Sequence, residues 1–294
     1  FSSHIGWILS MALARLKKGW YTEQTAKEYI PVIEEYLKNL KEQLKHLPIR
    51  DMPAAQIKGF PAIEEYTTHI LENFDNPEYY MREGKLINFE DVQVPVFGLA
   101  GWMDTTRNGV VDHYLGFLKH GNDVVKQGQK LVLGPWGHGA VLNPGSSEMD
   151  FGYEASGKDI GVQEMMIDFF DRYVKGIRNG WEERPPVKIF VIGKNIWRDE
   201  WEFPPKRAEK LEMYLHSEGA ANSLDGDGVL NFQPPDDEPC DSYDYDPKNP
   251  VPTLPAMTDH RVVQKRGDVL VYTSPPLEKM IEVTGLPKLI LHVS

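Results

Sequence analysis

Between Val94 and Gly193 the sequence alternates between short apolar runs and amphipathic stretches. VPVFGLAGW, QKLVLGP and VKIFVIG are continuous apolar runs closed by Gly or Pro. Such runs suit strands covered on both faces rather than strands with one wet side. Between them lie TRNGVVDHYLGFLKHG and IGVQEMMIDFFDRYVKG, whose apolar residues recur at helical spacing. The order β–α–β–α–β requires crossover connections, so it predicts a parallel sheet with helices on both faces, here over residues 89–205. Only part of a doubly wound α/β domain is expected here.

The flanking regions differ in texture. Residues 1–88 are helical in pattern: Ile5, Ile8, Leu9, Ala12, Leu13 and Leu16 form one stripe, and Ile33, Leu37, Leu40, Leu44 and Leu47 a second. A third, Ile63, Tyr66, Ile70 and Phe74, follows the breakers Pro53 and Pro61 and is expected to close at Asn76-Pro77. After Pro204-Pro205, short strand-like runs (KLEMYLHS, DVLVYTS, PKLILHVS) alternate with Gly, Pro, Asp and Asn, which predicts a β-sandwich over 206–294. That sandwich is expected to be incomplete, and QPPDDEPCDSYDYDPKNPVPTLP to be an ordered meandering loop.

Charge and composition exclude several classes. A net charge of −12 repels a phosphate backbone, and no basic patch is interleaved with aromatics, so nucleic acid is not an expected partner. No apolar run reaches a membrane span, and the N-terminal residues lack the features of a signal peptide. The single cysteine, Cys240, allows no internal disulfide and makes a cytoplasmic location the default. HExxH, CxxC and Gly-rich phosphate loops are absent, and LDGDG (224–228) lacks the acid spacing of an EF-hand, so no metal or cofactor is expected.

In open α/β sheets chemistry collects at the carboxyl ends of the strands. The first predicted strand ends in Gly101-Trp102-Met103-Asp104, the second in Gly134-Pro135-Trp136-Gly137-His138-Gly139. An acid after one strand and a histidine after the next is the tail of the order Ser…Asp…His found in α/β-hydrolases, with the histidine as general base. Each residue also has an ordinary explanation. Asp104 precedes a helix and could simply cap it, and His4, His46, His69, His113 and His120 are expected to serve packing or solvent contact. Trp102 and Trp136 are as well explained by core filling as by a substrate wall.

The segments VPVFGLAGWMDTT, KLVLGPWGHG, FFDRYVKG, PPVKIFVIGKNIWRDEWEFPP, NPVPTLP and DVLVYTSPPLEKMIEVTGLPKLILHVS resemble, in order and spacing, the X-Pro dipeptidyl-peptidase and cocaine-esterase-like (CocE/NonD) hydrolases. FSSHIGWILSMALARL is similar, less specifically, to the first helix of that family's cap. The resemblance implies part of an α/β-hydrolase fold with a helical cap (1–88), the C-terminal half of the core (89–205) and the start of a jelly-roll sandwich (206–294). It implies a serine hydrolase acting on a small-molecule ester or amide, with X-Pro dipeptidyl bonds among the candidates and homo-oligomerisation left open. Asp104 matches the triad acid and His138 the triad base. The family's G-x-S-x-G nucleophile elbow is absent, and Ser2, Ser3, Ser10, Ser146 and Ser147 lack the strand–turn–helix context, so the serine and the oxyanion hole are expected upstream and the chain is expected to be the C-terminal part of a longer enzyme. Two other readings stand beside this one. The chain could be a non-catalytic binding module, or a metal-assisted hydrolase using Asp104, His138 and an acid such as Glu148.

Overall fold

A computed structural model of the chain describes residues 2–53, 57, 60, 63, 69, 72–73, 75–82, 87–142, 149–254 and 258–294. The chain divides into two compact units, residues 1–87 with 246–249, and residues 88–245 with 250–294.

The first unit is helical. Helices α1 (Ser2–Lys17) and α2 (Glu23–Lys38) are followed by the single turn α3 (Leu40–Gln43). The α1 stripe buries Ile5, Ile8, Leu9, Ala12 and Leu16 against Ile33 of α2 and against Met52, Ile57, Phe60 and Ile63. Removing each of the Ile, Leu, Met and Phe side chains from water contributes roughly 1.5–3 kcal/mol. Thr22 starts α2 by accepting a hydrogen bond from the Thr25 amide at 3.2 Å, which satisfies one of the free donors of the first turn. The second stripe does not form one continuous helix. Asn39 leaves helical geometry, so Leu40 and Leu44 continue the packing from a new turn. At Asn76-Pro77 a new helix begins: Pro77 is the first residue of α4 (Pro77–Arg82), and Asn76 Oδ1 accepts from the Tyr79 amide at 3.2 Å. Proline is favoured at that first position because its missing N–H would have no helical partner there. Tyr66, Ile70 and Phe74 of the third stripe lie outside the described residues.

The second unit contains the predicted alternation. Strand β1 (Phe97–Gly101) leads to α5 (Arg107–His120) and α6 (Asp123–Gly128), then β2 (Lys130–Gly134), α7 (Val162–Tyr173) and β3 (Val187–Val191). β1, β2 and β3 are parallel, with Gly101 opposite Gly134 and Leu133 opposite Ile189. A fourth strand, β4 (Ile196–Glu200), returns antiparallel to β3 through a turn in which Gly193 and Asn195 both take positive φ. Its partly exposed IWRDE pattern gives little strand signal, so the run VKIFVIG was the legible half of the hairpin.

Successive β2 residues serve opposite faces of the sheet. Leu131 and Leu133 join Val111 and Tyr114 of α5, while Val132 joins Trp136 and Val162 at the start of α7. The unbroken apolar run is therefore explained by helices on both sides.

Beyond Pro205 the expected sandwich is only partly present. β5 (Tyr214–His216) and β6 (Val229–Asn231) pair antiparallel, and α8 (Arg261–Gln264) is one short turn. DVLVYTS contributes isolated bridges, Asn222 to Leu270 and Val229 to Thr273, and PKLILHVS forms no strand. A strand exists only through a partner's N–H and C=O groups, and among the described residues none is opposite 287–294. No helix among the described residues is long and apolar enough to cross a membrane.

Candidate active site

The carboxyl ends of β1 and β2 are tied into one structure. After β1, the Trp102 amide donates to the Gly134 carbonyl at 2.8 Å, and the Met103 amide to the Trp136 carbonyl at 3.1 Å. Trp136 is completely buried and its indole N–H donates to the Ala155 carbonyl at 2.7 Å, which fixes the turn from beneath. Trp102 is anchored across the sheet, donating to the Phe190 carbonyl at 2.8 Å. Gly101 is required by this closeness: a Cβ there would lie 1.9 Å from the Trp136 carbonyl oxygen.

The turn that presents His138 follows directly. The Ala140 amide donates to the Gly137 carbonyl at 3.2 Å, and Gly139 has φ +74°. A left-handed third residue is what a type II turn requires, and glycine takes it without steric cost. His138 occupies the second position of that turn and projects from it.

Asp104 and His138 meet. His138 Nδ1 lies 3.1 Å from Oδ1 and 3.2 Å from Oδ2 of Asp104. The Asp104 side chain is 11% exposed and that of His138 75% exposed, so the acid is recessed and the imidazole faces outward. Thr106 holds the carboxylate from the other side, its amide and its hydroxyl each donating to Oδ1 at 2.7 Å. Burial pushes the Asp104 pKa up, but the hydrogen bonds from the Thr106 hydroxyl and amide, and then the bond and charge of His138, outweigh it and hold the carboxyl below its ordinary value. Asp104 is thus ionised at neutral pH and can only accept, so the tautomer of the neutral imidazole that fits this contact has its proton on Nδ1 and its lone pair on Nε2. No described residue hydrogen-bonds Nε2. A recessed carboxylate, an oriented imidazole and an open ring nitrogen are the parts of a general base.

Thr106 is the participant that sequence reasoning missed. Its signal was the Asp-Thr-Thr run directly after a strand, since an aspartate readily accepts from the amide two residues on. Asp104 does not cap α5: the N-cap is Thr106, with no side-chain cap bond, and the Asp104 carboxylate accepts from the Thr106 amide ahead of the helix. The remaining histidines have other surroundings. His69 Nδ1 contacts the Tyr79 hydroxyl at 2.9 Å, and His113 and His120 lie against Phe89. Ser10 donates to the carbonyl of Gly6 within α1, at 2.7 Å. Ser146, Ser147 and Glu148 lie outside the described residues. Among the described residues, no three His, Cys, Asp or Glu side chains gather as metal ligands.

Residues 179–294 match the family described as the X-Pro dipeptidyl-peptidase C-terminal non-catalytic domain. The chain is also 31% identical to the cocaine esterase of Rhodococcus sp. over 235 residues, 76% of its own length. The chain belongs to the CocE/NonD and X-Pro dipeptidyl-peptidase family. It spans 40% of the length of that esterase. Among solved structures it is similar to an aminopeptidase of a marine sediment Thaumarchaeota archaeon, at 20% identity and a TM-score of 0.48, covering 72% of this chain and 38% of that one. It is also similar to a CocE/NonD family hydrolase of Staphylococcus aureus, at 17% identity and a TM-score of 0.38, covering 58% and 28%. The matched C-terminal domain begins at residue 179, ahead of β3, so it takes in two strands of the four-stranded sheet as well as β5 and β6.

Proposed function

We propose that this chain supplies the acid and the base of a serine hydrolase that cleaves small-molecule esters or amides through an acyl-enzyme, with the nucleophilic serine outside these 294 residues. The observation that carries the reading is the contact of Asp104 with His138 at the tips of adjacent parallel strands, in the order acid then base. Kinship with an esterase supports the same chemistry. In this reading residues 1–88 act as the helical cap, 89–205 as the C-terminal half of the α/β-hydrolase core and 206–294 as the start of a jelly roll.

His138 Nε2 takes the serine proton as the hydroxyl oxygen attacks the acyl carbon. It returns that proton to the leaving alcohol or amine, and a water deprotonated in the same way releases the acid. Asp104 holds the Nδ1–H tautomer and stabilises the imidazolium as it forms; its hydrogen bonds from Thr106 keep it ionised throughout.

The test is steady-state hydrolysis of an activated ester by the full-length protein. His138→Ala and Asp104→Asn are each expected to lower kcat on the order of 10⁴-fold. Turnover near that of the wild type in either variant would overturn the assignment.

A further inference from the structure

At the opposite, amino end of the same strands a buried lysine faces a cavity that the hydrolase reading does not use. Lys130, the first residue of β2, is only 6% exposed. Its ammonium donates to the Arg184 carbonyl and lies 5.6 Å from the centre of the Trp181 ring. An ammonium has three N–H donors. Among the described residues no other acceptor reaches it and no carboxylate forms an ion pair with it.

The neighbouring charges are already paired. Arg184 holds Asp168 at 2.6 Å, Lys188 holds Asp199 at 2.5 Å and Glu182 holds Arg172 at 2.7 Å, while Glu183 is exposed and acts on Lys130 only at a distance. Burial, then the charge of Arg184, bring the Lys130 pKa down to about 8 against the opposing pull of Glu182 and Glu183. A buried cation left with one hydrogen bond is costly. The space beside it is a cavity of about 240 Å³, walled by Phe97, Val132, Met165, Trp181, Pro185 and Pro186 and bordered also by Arg184 and the paired Lys188 and Asp199. Its walls are mostly apolar, the charges of Arg184, Lys188 and Asp199 on its border are paired, its one unpaired charge is positive, and its volume is below the roughly 300 Å³ at which sites for drug-sized molecules begin.

We propose that this cavity binds a small apolar carboxylic acid as its anion, the carboxylate accepting from Lys130 Nζ and the chain or ring lying against Trp181 and Met165. The carboxylate supplies both the counter-charge and the acceptors that the ammonium lacks. An apolar body takes the space that water would otherwise fill against the hydrocarbon-rich part of the wall. This inference is independent of the hydrolase reading, because its site is at the other end of the strands and its readout is binding.

The experiment follows the indole N–H resonance of Trp181, assigned with Trp181→Phe, in the full-length protein titrated with hexanoate, hexanol and hexylammonium. Hexanoate is expected to shift that resonance saturably, hexanol to bind at least about tenfold more weakly, and hexylammonium not to bind. Lys130→Met is expected to weaken hexanoate at least about tenfold while leaving hexanol unchanged. Met165→Trp keeps the lysine but fills the cavity, so it is expected to abolish both and serves if Lys130→Met fails to fold. Hexanoate affinity is further expected to fall as pH rises through about 8, where the ammonium loses its proton. No saturable shift with hexanoate up to about 10 mM, meaning that water alone fills the cavity, would overturn the proposal. Equal hexanoate affinity in the wild type and Lys130→Met would also overturn it.

Discussion

Asp104 draws its character from three donor groups on two residues. His138 approaches both oxygens, while the Thr106 amide and hydroxyl converge on Oδ1. The hydroxyl is the removable part, because the amide bond survives any side chain at 106. Thr106→Val should therefore raise the Asp104 pKa and loosen the carboxylate without deleting it. A hydrogen bond to a charged group contributes about 1.5–3 kcal/mol. Part of that is recovered by water, so kcat/KM should fall about 5- to 30-fold. The direction with pH follows from the shift: a carboxylate held below its unfolded pKa lends stability that is complete above that unfolded value and lost as pH falls through the folded one. Thr106→Val should thus move the acid limb of the activity profile, and acid unfolding, to higher pH, and Thr106→Ser should restore both. An unchanged acid limb in Thr106→Val, measured beside a carboxylate titration by NMR, would show that the threonine does not tune the acid.

At the scale of elements, the site depends on two strand ends coming close enough for one turn to bond the other. Gly101 is where that closeness is greatest, since a methyl group there would collide with the Trp136 backbone rather than with a side chain that could swing away. Gly101→Ala should cost about 1–3 kcal/mol or more by thermal or denaturant unfolding. It should also part His138 from Asp104, visible as loss of the imidazole's Nδ1 proton signal; a variant as stable as the wild type would mean that β1 and the turn after β2 are not locked together. Much of this arrangement was legible. Continuous apolar runs gave β1, β2 and β3 because both faces of the sheet are covered, and glycines at strand ends marked close approach. The pair Asp104 and His138 could be placed at neighbouring tips because a parallel sheet brings consecutive strand ends together. Other features were hidden for physical reasons. β4 has a half-exposed, charged pattern set by its neighbours rather than by burial. The break at Asn39 interrupts an apolar stripe without changing its period. DVLVYTS and PKLILHVS have strand-like composition, but pairing is a property of two segments and composition describes only one.

Across the second unit, β4 is joined to the segment near its C-terminal end by charge. Glu200 is nearly buried between Arg198, at 2.6 Å, and Arg207, and Arg198 in turn grips both oxygens of Glu282 at 2.9 and 2.6 Å. The Arg207 hydrogen bonds, against the opposing effect of burial, hold the Glu200 carboxyl below its ordinary value, with Arg198 adding to them. The region matched to a non-catalytic domain is thereby linked through β3 and β4 to the strands that carry Asp104 and His138. This joining accounts for a scaffold that orients His138, but orientation is not nucleophilicity. A serine becomes a nucleophile when a strand–turn–helix elbow aims its hydroxyl at the imidazole. These 294 residues contain no G-x-S-x-G, and Ser10 spends its hydroxyl on the Gly6 carbonyl. The 294-residue chain, with its fold checked by circular dichroism, should therefore hydrolyse an activated ester no faster than His138→Ala of the same chain, and a fluorophosphonate should leave its mass unchanged. The full-length protein should gain one phosphonyl group, on a serine outside these residues. Stoichiometric labelling of a serine within them would place the nucleophile here and remove the division of labour on which the proposed mechanism rests.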